Sequence, residues 1–175
     1  EQPATDFPTD VRTMALQGDT LWIGALNGLY TYQLQNRKLS PLDTKRNGLP
    51  HNTIYSIIRT GDNQIYVGTY NGLCRYIASN GKFEKTPLQH IIHDSRNIQS
   101  LTNNIIWNIF ADQEHNIWLG TDYGISLSRY NSALQFIPIS QITGTGDGNQ
   151  FYSLFRDSKG FYWFGGTNGL IRFTD

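Results

Sequence analysis

The chain has 175 residues, 38% of them hydrophobic and 13% aromatic, with 14 Lys and Arg balanced by 14 Asp and Glu. Such apolar content excludes a disordered chain, and a formal net charge of zero without a basic run gives no footprint for nucleic acid or an anionic membrane. The single cysteine, Cys74, excludes an internal disulfide and a cysteine-built zinc site.

No stretch approaches the ~20 apolar residues of a membrane span. Glu1-Gln2-Pro3-Ala4-Thr5-Asp6 lacks the basic and apolar regions of a signal peptide, so an export signal or anchor would lie outside this chain.

In chain order, one phrase occurs four times: Leu21-Trp22-Ile23-Gly24, Ile65-Tyr66-Val67-Gly68, Ile117-Trp118-Leu119-Gly120 and Tyr162-Trp163-Phe164-Gly165. A second glycine follows by four each time, at Gly28, Gly72, Gly124 and Gly169. The first glycines are spaced by 44, 52 and 45 residues, a period that signals a repeat architecture. An aromatic closes each copy: Tyr32, Tyr76 and Phe173 in register, and Tyr130 two residues late, which predicts a bulge or a longer strand within Ile125-Ser126-Leu127-Ser128.

Each unit reads as four short strands. The first strands are Val11–Leu16, Ile54–Ile58, Ile106–Phe110 and Phe151–Phe155. Polar turns follow at 17–19, 61–63, 112–116 and 157–160, carrying the Gly, Asn and Asp that tight hairpins need. The repeated phrase is the second strand, and the third runs to the closing aromatic. Weaker fourth strands are expected at Lys38-Leu39-Ser40, Lys82-Phe83-Glu84 and Gln135-Phe136-Ile137.

No dozen residues sustain a 3.6 period, so helices should be few. Short, evenly spaced antiparallel strands with one aromatic-glycine phrase per unit predict an all-β propeller fragment of about four blades. The blades fall near 8–42, 52–86, 104–138 and 149–175, and the last lacks its fourth strand. Thr5-Asp6-Phe7 is a candidate fourth strand without a blade. The glycines are expected where the second and third strands meet a neighbour that a Cβ would strike and where the turn needs permissive φ, and the Trp, Tyr and Phe rings in the wedge between blades. Open blade edges at either end predict self-association.

Asn104-Ile105-Ile106-Trp107-Asn108-Ile109-Phe110-Ala111-Asp112, then Asn116–Thr121, Gly124-Ile125 and Arg129-Tyr130, resembles the two-component regulator propeller repeat. Gly48–Ile57 and Ser100–Asn104 look like its lead-in loops, and Asn149–Asp157 with Trp163–Arg172 matches again. The likeness is weakest in the first unit, where the repeat's Asp has no counterpart, and the second unit has Thr60 in its place. The resemblance implies the periplasmic sensor region of a hybrid two-component histidine kinase, many of which respond to glycan breakdown products. The kinase and receiver modules of such systems are absent from this sequence, so this segment is expected to be non-catalytic and to need no cofactor.

Asp112 and Asp157 share one position, eight residues before Gly120 and Gly165. Recurrence in one turn reads as backbone capping rather than as a glycosidase carboxylate pair. His90-Ile91-Ile92-His93 has metal-compatible spacing but no further placed ligand, and reads as part of a surface insertion. Gly144-Thr145-Gly146-Asp147-Gly148 lacks the lysine of a phosphate loop and reads as a flexible connection.

By propeller topology, the interblade loops and the turns between second and third strands share one face. Amides and aromatic rings there suit sugars, whose hydroxyls want donors and acceptors while their C–H faces stack. Asn52, Asn104 and Asn149 recur in register and read as turn formers. Tyr70 and the Asp122-Tyr123 pair vary between copies, and with Asn71, Asn168 and His51 on the same face they are the contact candidates. So is Trp107, which shares an aligned variable position with Arg12, Tyr55 and Tyr152. An oligosaccharide is the expected ligand; the competing readings are a propeller lyase or glycosidase, and a protein-interaction scaffold. No metal site is expected.

Overall fold

Alternating apolar and polar residues, punctuated by Gly, Asn and Asp, set up hairpins along the whole chain. The computed structural model describes residues 8–61, 63–79, 82–83, 87–144 and 148–174. Thr5–Phe7, Glu84 and residues 145–147 of the glycine-rich connection lie outside the described residues.

The first sheet is β1 (Val11–Gln17), β2 (Thr20–Ala25), β3 (Gly28–Gln33) and β4 (Lys38–Leu42), paired in that order. A four-residue helix, α1 (Thr44–Asn47), leads to β5 (Ile54–Thr60), β6 (Gln64–Thr69), β7 (Gly72–Ser79) and β8 (Lys82–Phe83). The edge of β7 is completed in two pieces. β8 pairs with Ala78 and Ser79, and β9 (Gln89–Ile91) also pairs with β7. The third sheet holds β10 (Ile106–Ala111), β11 (Ile117–Thr121), β12 (Gly124–Ser128) and β13 (Ile137–Pro138). After α2 (Ser140–Thr143), the last sheet has three strands: β14 (Phe151–Arg156), β15 (Tyr162–Gly166) and β16 (Gly169–Phe173). Neighbouring strands pair antiparallel from β1 to β4, from β10 to β13 and from β14 to β16, as do β5 with β6 and β7 with β8. This is a nearly all-β propeller segment of four blades, the last one incomplete.

The chain divides into two compact units, Glu1–Tyr70 with Cys74–His90 and Asn71–Leu73 with Ile91–Asp175. In the first, Trp22, Leu29 and Leu42 pack with Leu49, Ile54, Ile57, Ile65, Val67, Cys74 and Tyr76. The Trp22 and Tyr76 rings stand 5.1 Å apart. In the second, Trp118, Ile125 and Leu127 pack with Phe151, Leu154, Tyr162 and Phe164, and Trp118 lies 4.3 Å from the Tyr162 ring. One blade's tryptophan thus presses on the next blade's second or third strand, as the wedge argument requires.

The first glycine of the phrase makes that approach possible. A Cβ on Gly24 would sit 2.5 Å from Ile54 Cγ2, and one on Gly120 would collide with the Phe151 carbonyl oxygen. The second glycine serves the turn instead. Gly124 reverses the hairpin at φ 96°, a region that L side chains rarely adopt.

Two local expectations fail. β11 and β12 pair without a break from Ile117↔Ser128 to Thr121↔Gly124, so the third unit's two extra residues make neither a bulge nor a longer strand. They displace Tyr130 beyond the strand into an exposed turn, where Asn116 Oδ1 accepts its backbone N–H at 2.9 Å. The fourth strand of that unit is Ile137–Pro138 rather than 135–137, and the Phe136 N–H donates instead to Gln99 O at 2.9 Å.

Candidate functional site

Bulges do occur, in the innermost strands. The β1–β2 register shifts between Val11 and Thr13, β5–β6 between Ile54 and Ser56, β10–β11 between Ile106 and Asn108, and β14–β15 between Phe151 and Ser153. The extra residues are Arg12, Tyr55, Trp107 and Tyr152, the aligned variable position noted above. A bulge leaves one residue outside the ladder and re-aims its side chain. The repeat therefore carries, once per blade, a residue set outside the ladder.

In the second unit two of these residues meet. The Trp107 and Tyr152 rings form an edge-to-face pair with centroids 5.3 Å apart. Trp107 Nε1–H donates to Asp122 Oδ1 at 3.2 Å, and Gln150 Nε2–H donates to the same oxygen at 2.6 Å. Tyr152 O–H donates to Gln150 Oε1. Two rings, a carboxylate and an amide are thus joined in one network, with Trp107, Asp122 and Gln150 half-buried and Tyr152 exposed. The Asp122 turn is itself anchored. Its N–H donates to Ile105 O at 3.1 Å, Thr121 O–H donates to Gly124 O at 2.8 Å, and Tyr123 N–H donates to Thr121 Oγ1 at 3.1 Å. Tyr123 projects from this turn with its side chain exposed.

The loops sit where propeller topology puts them. Gly124 N–H donates to Asn149 O at 2.8 Å, and Thr167 N–H to Gln150 O at 3.1 Å. Asn149 is buried and structural, its Oδ1 accepting Asn168 N–H at 3.0 Å and the Thr167 hydroxyl. Asn168 keeps its side chain exposed. Asn104 Oδ1 accepts His93 N–H at 2.7 Å, which also spends that amide on structure.

The first unit has its own pair on such loops. The His51 and Tyr70 rings are 5.0 Å apart, His51 Nδ1 accepts Thr53 N–H at 3.0 Å, and Tyr70 N–H donates to Thr53 O at 3.1 Å. Asn71, half-buried, belongs to the second unit. Of the expected contact residues, the structure joins Trp107 with Asp122, and His51 with Tyr70. Gln150 and Tyr152 complete the first group but were not among the chosen candidates. The signal for Tyr152 lay in the variable column, and its meaning needed the bulge.

The recurring aspartates do cap turns, and they do more. Asp112 Oδ1 accepts Asn116 N–H at 2.8 Å, while Oδ2 accepts Asn116 Nδ2–H at 2.9 Å, Trp118 Nε1–H at 2.7 Å and Tyr162 O–H at 2.8 Å. Burial pushes this carboxyl upward, but the bonds from Trp118, Asn116 and Tyr162 together outweigh it and hold it below the usual carboxylate range. Asp157 Oδ1 accepts Lys159 and Phe161 N–H at 2.9 and 3.0 Å, and Oδ2 accepts Trp163 Nε1–H at 2.8 Å. The Trp163 bond leads in lowering its titration range. These carboxylates are committed to donors of the fold.

In the insertion, His90 lies on β9 and His93 Nδ1 rests 2.5 Å from Leu101 O. Among the described residues no three His, Cys, Asp or Glu side chains are grouped to hold a metal ion.

A family model described as the two-component regulator propeller matches residues 48–71, 100–123 and 145–168. Histidine kinase P4 of Formosa agariphila is 25% identical over 138 residues, covering 75% of this chain and 10% of that protein. The solved extracellular domain assigned to the hybrid two-component system BT3049 of B. thetaiotaomicron is 26% identical, with a TM-score of 0.70 over 94% of this chain and 22% of that one. The extracellular domain assigned to BT4673 of the same organism is 64% identical over 100% of this chain and 34% of that one, with a TM-score of 0.43. The chain spans about a tenth of the curated relative's length and about a fifth to a third of these solved domains. The matched stretches share the first glycine of the phrase, at Gly68, Gly120 and Gly165, the last two share the Asp–Trp clamp, and the bulged side chains Tyr55, Trp107 and Tyr152 differ. The chain thus carries three stretches similar to the two-component regulator propeller repeat.

Proposed function

We propose that this chain is a propeller segment of the extracytoplasmic, periplasm-facing sensor region of a hybrid two-component histidine kinase. In this reading it binds an oligosaccharide and catalyses nothing itself. The similarity to Histidine kinase P4 and to solved extracellular domains of hybrid two-component systems supports the assignment to a sensor. The binding reading is carried by one observation: a bulge-released ring pair, Trp107 and Tyr152, sharing a network with Asp122 and Gln150. Rings offer stacking surface to the C–H faces of sugars, while the carboxylate and amide offer acceptors and donors to hydroxyls.

The test is calorimetry of the sensor region against a panel of oligosaccharides, repeated with Trp107→Ala. Binding that this substitution abolishes supports the reading. Binding that it leaves intact places recognition elsewhere, and release of shortened products identifies an enzyme instead.

Association through blade faces belongs to the same proposal. Val11 and Met14 on β1, and Phe155 and Leu170 on β14 and β16, are exposed apolar side chains. The positions equivalent to Val11 and Met14 are buried as Ile54 and Ile57 in the first unit and as Phe151 and Leu154 in the second. Such faces suit a further blade of the same repeat, supplied by a longer chain or a second copy. A monomer by light scattering at high concentration would count against association of the isolated chain.

A further inference from the structure

We infer that the Trp107–Asp122–Gln150–Tyr152 cluster selects neutral glycan rings and rejects uronates and sulfated sugars. This rests on the binding reading above and adds the class of sugar. Three observations carry it.

First, the network places a carboxylate at its centre. Asp122 Oδ1 takes both hydrogen bonds, from Trp107 and from Gln150, so among the described residues Oδ2 keeps its accepting capacity for another donor. A neutral ring brings hydroxyl donors to that oxygen. An anionic ring brings a like charge beside rings that exclude water, where repulsion is screened less than in bulk solvent.

Second, the described stretches around the cluster supply no counter-charge. The stretches Ser100–Trp107, Thr121–Gly124, Gly148–Tyr152 and Thr167–Gly169 surround the cluster in chain and in hydrogen bonding. Asp122 is their only charged residue, and they contain no Lys, Arg or His. Carboxylates and sulfates are held by paired guanidinium or ammonium groups, above all by the planar fork of arginine. His93, whose backbone reaches Asn104, turns its Nδ1 to the Leu101 carbonyl instead.

Third, the remaining polar groups suit hydroxyls. The Tyr152 hydroxyl donates to Gln150 Oε1 and its oxygen can still accept, and exposed Tyr123 on the Asp122 turn offers a further ring with a hydroxyl.

The test titrates the sensor region with neutral probes (xylo-, manno- and gluco-oligosaccharides) and acidic ones (oligogalacturonates and heparin-derived oligosaccharides) at low and moderate salt. Wild type, Asp122→Asn and Trp107→Ala are compared, with melting curves confirming that each variant folds. We expect at least one neutral probe to bind, with the best acidic probe weaker by at least roughly tenfold. Asp122→Asn should narrow that gap by weakening neutral binding and admitting acidic probes, because it keeps the shape and removes the charge. Trp107→Ala should abolish neutral binding.

Acidic probes that bind as tightly as neutral ones, with loss in Trp107→Ala, would overturn the selectivity and keep the site. An Asp122→Asn variant with unchanged discrimination would also overturn it. Binding indifferent to Trp107→Ala, or no binding by any probe, would overturn the site reading itself. Where Trp107→Ala fails to fold, Tyr152→Ala, which alters an exposed side chain, serves the same comparison.

Discussion

Removing the Asp112 carboxylate tests the packing logic most sharply. In Asp112→Ala, four hydrogen bonds of 2.7–2.9 Å disappear together. Two of the abandoned donors, Trp118 Nε1–H and Tyr162 O–H, belong to side chains only 0% and 2% exposed, so water cannot replace the acceptor without opening the core. A buried donor left unsatisfied costs about 1–3 kcal/mol, and the two together with the lost turn cap suggest a loss of about 3–5 kcal/mol. That is a large fraction of the ~5–15 kcal/mol that keeps a domain folded. Urea denaturation followed by tryptophan fluorescence measures it, an unchanged slope confirming that the unfolding reaction is the same. Adding Trp118→Phe removes one orphaned donor, so the double variant should regain about 1–2 kcal/mol relative to additivity. A single-variant loss below about 1 kcal/mol, or a double variant with no such recovery, would refute the clamp as a stabilising element.

Other outcomes follow from the same structure. Asp157→Ala should lose less than Asp112→Ala, because Trp163 is only half-buried and water can reach its indole; equal losses in urea would contradict this. Gly120→Ala should cost at least about 1–3 kcal/mol in the same assay, since the added Cβ meets the Phe151 backbone, and a neutral effect would show that the blades are not that close. Both clamp carboxyls sit below their ordinary range, so their stabilisation is complete above the unfolded value of about 3.9 and drains away as pH falls through the folded values. The urea midpoint should therefore hold down to about pH 5 and drop below it, less steeply in Asp112→Asn, and parallel slopes would discount Asp112 as a source. Burial pushes the Cys74 thiol up to about 12, so the native protein should react with a thiol reagent near pH 8 only on unfolding.

The architecture was legible in the sequence because it is written four times. The paired glycines answer to backbone geometry, and Gly120 and Gly124 fill the two separate roles expected of them. The turn role of Asp112 and Asp157 was legible as well, from recurrence alone. Their grip on Trp118 and Trp163 was not, because it runs from a turn to a strand's side chain and leaves no local pattern. Tyr130 misled for a related reason. Its spacing suggests an inserted strand residue, whereas the chain simply leaves the strand after Ser128 and the aromatic falls in a turn.

The site was half visible. Trp107 and Asp122 could be chosen from variability and topology, yet nothing in the letters says that the residue after Ile106 escapes the ladder. A bulge is a property of two paired strands, fixed by register, and only the pairing shows that Trp107 and Tyr152 share it. Gln150 could be placed only on the loop face from the sequence; its reach to Asp122 depends on two blades being adjacent.

The most direct measurement follows the four tryptophan indole N–H signals by NMR while a bound oligosaccharide is titrated in. Trp22 and Trp118 are core side chains, and Trp163 is tied to Asp157, whereas Trp107 donates to the carboxylate assigned to ligand contact. The Trp107 signal should move with the binding isotherm while the other three hold still. A ligand that saturates the protein without moving Trp107 would contradict the assigned site.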